Sequence, residues 1–80
     1  MAKRQVMFTF PTELIREPII YNLGIQYSIV TNVRRADVSE NEGWVLLELE
    51  GEDANIDDGL KWVVEKGVRV DPVIGTALEG

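Results

Sequence analysis

Alternation of side-chain character opens the chain: Val6, Phe8 and Phe10 fall on one face of an extended run and Gln5, Met7 and Thr9 on the other. A period of two predicts a strand over residues 3–10. Pro11 ends its ladder, having no N–H to donate. Residues 25–35 alternate again, with Ile25, Tyr27, Ile29, Thr31 and Val33 on one side. Gln26, Ser28, Val30, Asn32 and Arg34 fall on the other. A third alternating run over 44–51 turns Val45, Leu47 and Leu49 inward, and a fourth strand is expected over 68–73.

Two segments break the period of two. Ile56, Leu60, Val63 and Val64 follow the i, i+4, i+7, i+8 spacing of one helical stripe, predicting a helix over 53–66. Asp53 suits its N-cap, Asp57 and Asp58 lie near its positive end, and Gly67 is placed to close it in the left-handed conformation. Gly59 inside it loses about 1 kcal/mol of helix propensity against alanine, and either allows close packing on the sheet or is simply tolerated. Residues 12–17 are ambiguous, since Leu14 and Ile15 suit a helical turn that Pro18 would break. Pro18 fits better as the first residue of a short helix over 18–23, with Gly24 ending it at positive φ. The polar stretch 36–43, with Ser39, Asn41 and Gly43, reads as a hairpin connection longer than the tightest type.

The order is β-α-β-β-α-β, the split pattern of a ferredoxin-like α+β sandwich: a four-stranded antiparallel sheet with two helices on one face. The helix-covered face should hold Val6, Phe8, Ile29, Val33, Val45, Leu47, Leu49, Val68 and Val70. The open face should show Met7, Thr9, Val30, Trp44 and Leu46 among Gln5, Gln26, Ser28, Asn32 and Glu48. Scattered exposed apolar residues are ordinary. A Trp and a Leu on a central strand point instead to a contact with a second copy, another domain or a ligand. Met7, Trp44 and Leu46 are therefore candidate interface residues. Trp62, off the helical stripe, either lies over a neighbouring loop or anchors an interface.

Eighty residues with 45% apolar content suit one domain: residues 1–75, followed by a flexible tail at 76–80. Charge is lopsided, +3 over residues 1–36 and −9 over 37–80. The acidic half argues against nucleic-acid binding, which needs a concentrated basic face. With no cysteine and no histidine, the chain lacks a thiol nucleophile, the usual neutral-pH base and the commonest metal ligands. No apolar run approaches a membrane span and no signal-peptide pattern opens the chain, so direct membrane insertion is not expected and a cytoplasmic location is.

Catalytic patterns are weak. Asp57–Asp58 and Glu48–Glu50 do not pair a raised-pKa acid with an ionised base. Asn55, Asp57 and Asp58 lack the spacing of an EF-hand loop, and no phosphate-cradling glycine loop is present. Arg16 and Asn32 miss the loop pattern that acylphosphatase chemistry on this fold requires. The expectation is a protein that is not an enzyme and holds neither cofactor nor metal. One binding site does follow from organisation: the end of the first strand at Phe10 and Pro11 meets the start of the first helix at Pro18 and Ile19. The free N–H groups of Ile19 and Ile20 would favour an anion there, with Arg16 adding positive charge. Ser28, Val30 and Asn32 on the open face could complete the set.

These segments together resemble a NIL domain, the ACT-like regulatory domain at the C-terminus of the ATPase subunit of methionine importers. The resemblance rests on Phe8-Thr9-Phe10-Pro11, Glu17-Pro18-Ile19-Ile20, Gly24-Ile25-Gln26-Tyr27-Ser28-Ile29-Val30 and Gly43-Trp44-Val45-Leu46-Leu47-Glu48-Leu49-Glu50-Gly51. Leu60-Lys61-Trp62-Val63 and Gly67-Val68-Arg69-Val70 extend it over nearly the whole chain. It implies a homodimer that binds an amino acid, methionine or a related sulfur metabolite, near the subunit interface, here in a stand-alone form. In the transporter branch of this family the position of Ser28 is often Asn. The alternative is an interaction module that docks a partner enzyme or transporter and binds no small molecule.

Overall fold

The computed structural model describes residues 1–14, 17–39 and 41–73. Its elements are β1 (Ala2–Pro11), a short 3-10 turn (Thr12–Leu14), α1 (Ile19–Tyr27), β2 (Val30–Val38), β3 (Glu42–Gly51), α2 (Asp53–Glu65) and β4 (Arg69–Pro72). The antiparallel sheet has the order β2-β3-β1-β4, with both helices on one side. This is the ferredoxin-like α+β sandwich that the segment order predicts. The two central strands form the longest ladder, running from Ala2 opposite Gly51 to Pro11 opposite Glu42.

Val6, Phe8, Phe10, Leu47 and Leu49 from the sheet meet Ile19 and Leu23 of α1 and Ile56 and Val63 of α2 in one core, joined by Ile29 and Val68. Val45 and Val70 pack against it half-buried. Val33 faces the helix side, opposite Leu47, but stays 56% exposed. Its strand is an edge that runs out beyond helical cover.

The largest departure from the sequence pattern lies between residues 24 and 30. Gly24 does not end α1, which continues through Tyr27. Ser28 turns the chain instead, at φ 55 and ψ 49, and the Ile29 N–H donates to the Gly24 carbonyl at 3.1 Å. That six-to-one bond across a left-handed residue is a Schellman closure. Consequently Ile25, Gln26 and Tyr27 are helical, and Ile29 enters the core from a turn rather than a strand. Helix α2 closes by the same device, with Gly67 at φ 102 and the Val68 N–H donating to Val63 at 3.3 Å. The two closures differ in residue type. A side chain at left-handed φ costs about 1–2 kcal/mol where glycine has no such penalty. Ser28→Gly should therefore raise stability by about 1 kcal/mol, seen as a gain of about 4–8 °C in thermal unfolding. A lower melting temperature would show that the Ser28 side chain contributes more than its backbone strain takes away.

Helix starts also differ from expectation. Pro18 is the N-cap of α1, not its first helical residue; its φ of −80 and ψ of 57 form an inverse γ-turn in which Ile19 N–H donates to the Glu17 carbonyl at 2.8 Å. At α2 the N-cap is the extended Glu52, and Asp53 occupies the first turn. Arg4 holds that end to the sheet, donating to Asp57 at 2.8 Å and Asp53 at 2.9 Å. The hydrogen bonds to Asp53 and Asp57 raise its pKa further, so it stays charged. Gly59 packs against α1 rather than the sheet: a Cβ there would lie 2.7 Å from Leu23 Cδ1 and 2.9 Å from Ile29 Cδ1.

The connection expected over 36–43 is mostly strand. β2 runs to Val38, β3 begins at Glu42, and Ser39 closes the hairpin by donating from its N–H to the Glu42 carbonyl at 2.9 Å. Between Val33 and Arg35 the register slips by one residue, a bulge that leaves Arg34 unpaired in the ladder. The bulge puts Arg35 and Asp37, opposite Leu46 and Trp44, on the open face. The expected tail at 76–80, Arg16 and Ile15 lie outside the described residues.

Candidate functional site

At one end of the sandwich the chain leaves an apolar cleft of about 190 Å³. Phe10, at the end of β1, stands edge-to-face with Phe8 at 6.1 Å, which fixes its ring at the inner end of the cleft. Gly43 and Val45 come from the start of β3 and Val38 from the end of β2. Glu17, Pro18, Ile19, Ile20 and Tyr21 close it from the start of α1. Gly43 pairs with Phe10 on β1 and with Val38 on β2, so three strands converge there.

The cleft brings together three of the sequence-predicted ligand residues: Phe10, Pro18 and Ile19. Pro11 faces a separate shallow groove with Glu13, Leu14, Lys66 and Gly67. Ser28 sits at the other end of α1, about 13 Å away along a nine-residue helix. It is a helix-closing residue, not a member of the open sheet face. Its left-handed backbone is a conformation that Gly and Asn tolerate better than other residues do. Val30 and Asn32 do lie on the open face, opposite Glu50 and Glu48 on β3. They share no cleft with Phe10. The Ile19 N–H expected to be free is taken by the Glu17 carbonyl.

The sequence pattern does not mark Glu17, Tyr21, Val38, Gly43 or Val45 as cleft residues. Val38 and Gly43 fall in the stretch whose polar character reads as a hairpin connection, and the bulge that puts Val38 on the helix side has no sequence signature. Val45 was legible as inward-facing but not as bordering an opening.

On the other side of the sheet, Met7 lies opposite Leu46 and Thr9 opposite Trp44, and all four are half-buried by their neighbours. Trp62 finds partners within the chain: its ring is 6.0 Å from Tyr27 on α1, and Lys66 Nζ stands 5.5 Å above it. It fills the flank between the helices. Among the described residues no helix is long and apolar enough to cross a membrane.

The cleft lies on a ferredoxin-like sandwich, and sequence comparison makes the family assignment specific. The NIL domain family model matches residues 4–72, and the chain belongs to that family. Among solved structures, the C-terminal domain of an ABC transporter ATP-binding protein from Enterococcus faecalis superposes with a TM-score of 0.79 at 18% identity. The match covers 90% of this chain and 84% of that one. At that identity the likeness establishes a shared fold. No curated protein matches the chain significantly.

Proposed function

We propose that this NIL domain is a regulatory module without catalytic chemistry, binding an amino acid, methionine or a related sulfur metabolite, at or near a homodimer interface. The observation that carries this reading is the apolar cleft bounded by Phe10, Ile19, Val38 and Val45, with Glu17 at its rim. A linear thioether side chain suits it: flexible, apolar, and drawn to the edge of an aromatic ring such as Phe10. Glu17, which borders the cleft, supplies the carboxylate that would pair with an α-ammonium. At about 30 Å³ per water, the cleft holds roughly six waters' volume, the scale of one small amino acid. Regulation would follow by population shift, the ligand favouring whichever arrangement of the dimer binds it more tightly. The likeness to a transporter ATP-binding protein's C-terminal domain supports a cytoplasmic setting and a transporter as the regulated partner.

Isothermal titration with L-methionine, against L-leucine and L-aspartate as controls, tests this reading. Saturable heat is expected for methionine and not for aspartate. Val38 is 61% exposed at the mouth, so Val38→Trp should fill the cleft without disturbing the core. The variant should lose at least about tenfold in affinity, a change of about 1.4 kcal/mol. Unaltered binding by Val38→Trp would remove the cleft from the argument. A second reading, an interaction module that docks a partner enzyme of sulfur amino-acid metabolism and binds no small molecule, is favoured by the apolar centre of the open sheet face. It predicts no heat with any amino acid.

A further inference from the structure

Helical cover on the sheet is uneven. β2 is an outermost strand, and each of its residues from Asn32 to Val38 is exposed. On the helix side this leaves Val33 and Val38 bare, at 56% and 61% exposure, with Ala36 between them. α1 meets β2 at Thr31, where a Cβ on Gly24 would lie 4.0 Å from Thr31 Cγ2. Toward its start the helix draws away from the strand, and the cleft opens between Tyr21 and Val38. Ile25 follows Tyr21 one turn along α1, and the two are 61% and 67% exposed. The result is an apolar groove between α1 and the outer strand, widening into the cleft.

This flank is built from uncharged sequence. Residues 18–33 contain no acidic or basic side chain, in a chain where 28% of residues are charged. Charge returns at the outer rim, with Arg34 and Arg35 on β2. Among the described residues Arg4 and Arg69 are held by carboxylates, whereas neither of these two arginines enters an ion pair. Arg34 sits in the bulge that interrupts the ladder between Val33 and Arg35. A bulge and two like charges on an outermost strand discourage the addition of a further strand. The apolar residues beside it therefore suit a partner that packs, not one that pairs.

We propose that the groove receives an amphipathic helix of a partner protein, apolar on its inward face and acidic along the flank that meets Arg34. Helices held in grooves are read through anchors at i, i+3, i+4 and i+7. From Val33 to Val38 the floor runs roughly 16 Å, the length of about three helical turns. Those turns present one such set of anchors to Val33, Ala36 and Val38. Charge sets which flank of the helix faces outward. Glu17 borders the cleft at the wide end and repels carboxylates, while Arg34 at the rim attracts them. A contact three turns long falls below the roughly 1,200 Å² of the smallest stable complexes, so the association is weak and reversible. The surface is separate from the open face and does not depend on an amino acid in the cleft.

Fluorescence anisotropy tests this with a labelled amphipathic peptide of about 15 residues, leucines on one face and glutamates along one flank. Binding with a Kd of about 100 μM or tighter is expected. Val33→Glu should weaken it at least about tenfold. Arg34→Glu should do the same and should bind the lysine-flanked version of the peptide better than the parent chain does. Val30→Glu, on the open face, should change nothing. No binding of the glutamate peptide, or equal binding of the lysine version by the parent chain, overturns the proposal. Equal losses from Val30→Glu and Val33→Glu overturn its location. A peptide with a central proline cannot stay helical and should lose its affinity. If it binds as tightly, the occupant is an extended segment and the helix is overturned. Sedimentation of the parent and of Val33→Glu covers the remaining occupant: self-association abolished by that substitution would give the groove to a second copy instead. Circular dichroism confirms that the exposed substitutions leave the fold in place.

Discussion

Gly59→Val is expected to destabilise the domain by about 3 kcal/mol, the upper part of the range for overpacked cores. The position tolerates no side chain because α1 and α2 cross closely there. A Cβ would stand 2.7 Å from Leu23 Cδ1, 2.9 Å from Ile29 Cδ1 and 3.4 Å from Tyr27 Cγ. Leu23 is fully buried and Ile29 nearly so, leaving their methyl groups nowhere to retreat. Tyr27 is held in turn by Trp62. Alanine divides the effect. It gains about 1 kcal/mol of helix propensity over glycine but pays an overpacking cost of about 1–3 kcal/mol, so its net loss should be about 1 kcal/mol. Urea denaturation should show a lower midpoint for both variants, valine far more than alanine, with unchanged slope. A valine variant as stable as the parent would mean that the helices cross farther apart than described.

The same crossing shows why part of this fold is readable and part is not. Helix α2 announces itself locally: Ile56, Leu60 and Val63 set the stripe, and Gly67 supplies the left-handed closure that its φ of 102 requires. The alternation of Val6, Phe8 and Phe10 likewise fixes the inward face of β1. Between Gly24 and Val30 local signals mislead. Gly24 is a strong stop signal and Ile25–Val33 alternates like a strand, yet the helix continues for a further turn. The helix gains there because Tyr27 reaches Trp62 and Ile29 reaches the core, contacts made across the whole chain. Tertiary packing outweighs a propensity difference of about 1 kcal/mol. The bulge at Arg34 is hidden for a related reason: its position is set by pairing with β3, not by anything in Val33-Arg34-Arg35-Ala36. Only those parts of the cleft that depend on β1 and the start of α1 were accordingly legible. The parts contributed by β2 and the hairpin depended on a register that sequence does not carry.

Phe8→Ala should cost about 3–5 kcal/mol, as large-to-small changes at fully buried aromatics do. For a domain of this length, total stability is about 4–12 kcal/mol, so the variant should be close to unfolded at 37 °C. Phe8 lies at the centre of the sheet with no exposure, flanked by Val45 on β3 and Val70 on β4. Phe10, two residues along on the same face, differs in one respect: its ring borders the cleft. Water already reaches that opening, so truncation there enlarges an existing space rather than opening a dry void. Phe10→Ala should therefore cost about 2 kcal/mol, toward the lower end for core truncation, and leave a folded protein. The inner end of the cleft would be gone, and methionine binding should fall at least about tenfold even where the domain remains folded. Urea denaturation paired with titration separates the two effects. Equal losses of stability at Phe8 and Phe10 would show that the cleft is closed in solution. A folded Phe10→Ala variant that binds methionine undiminished would place the ligand elsewhere on the molecule.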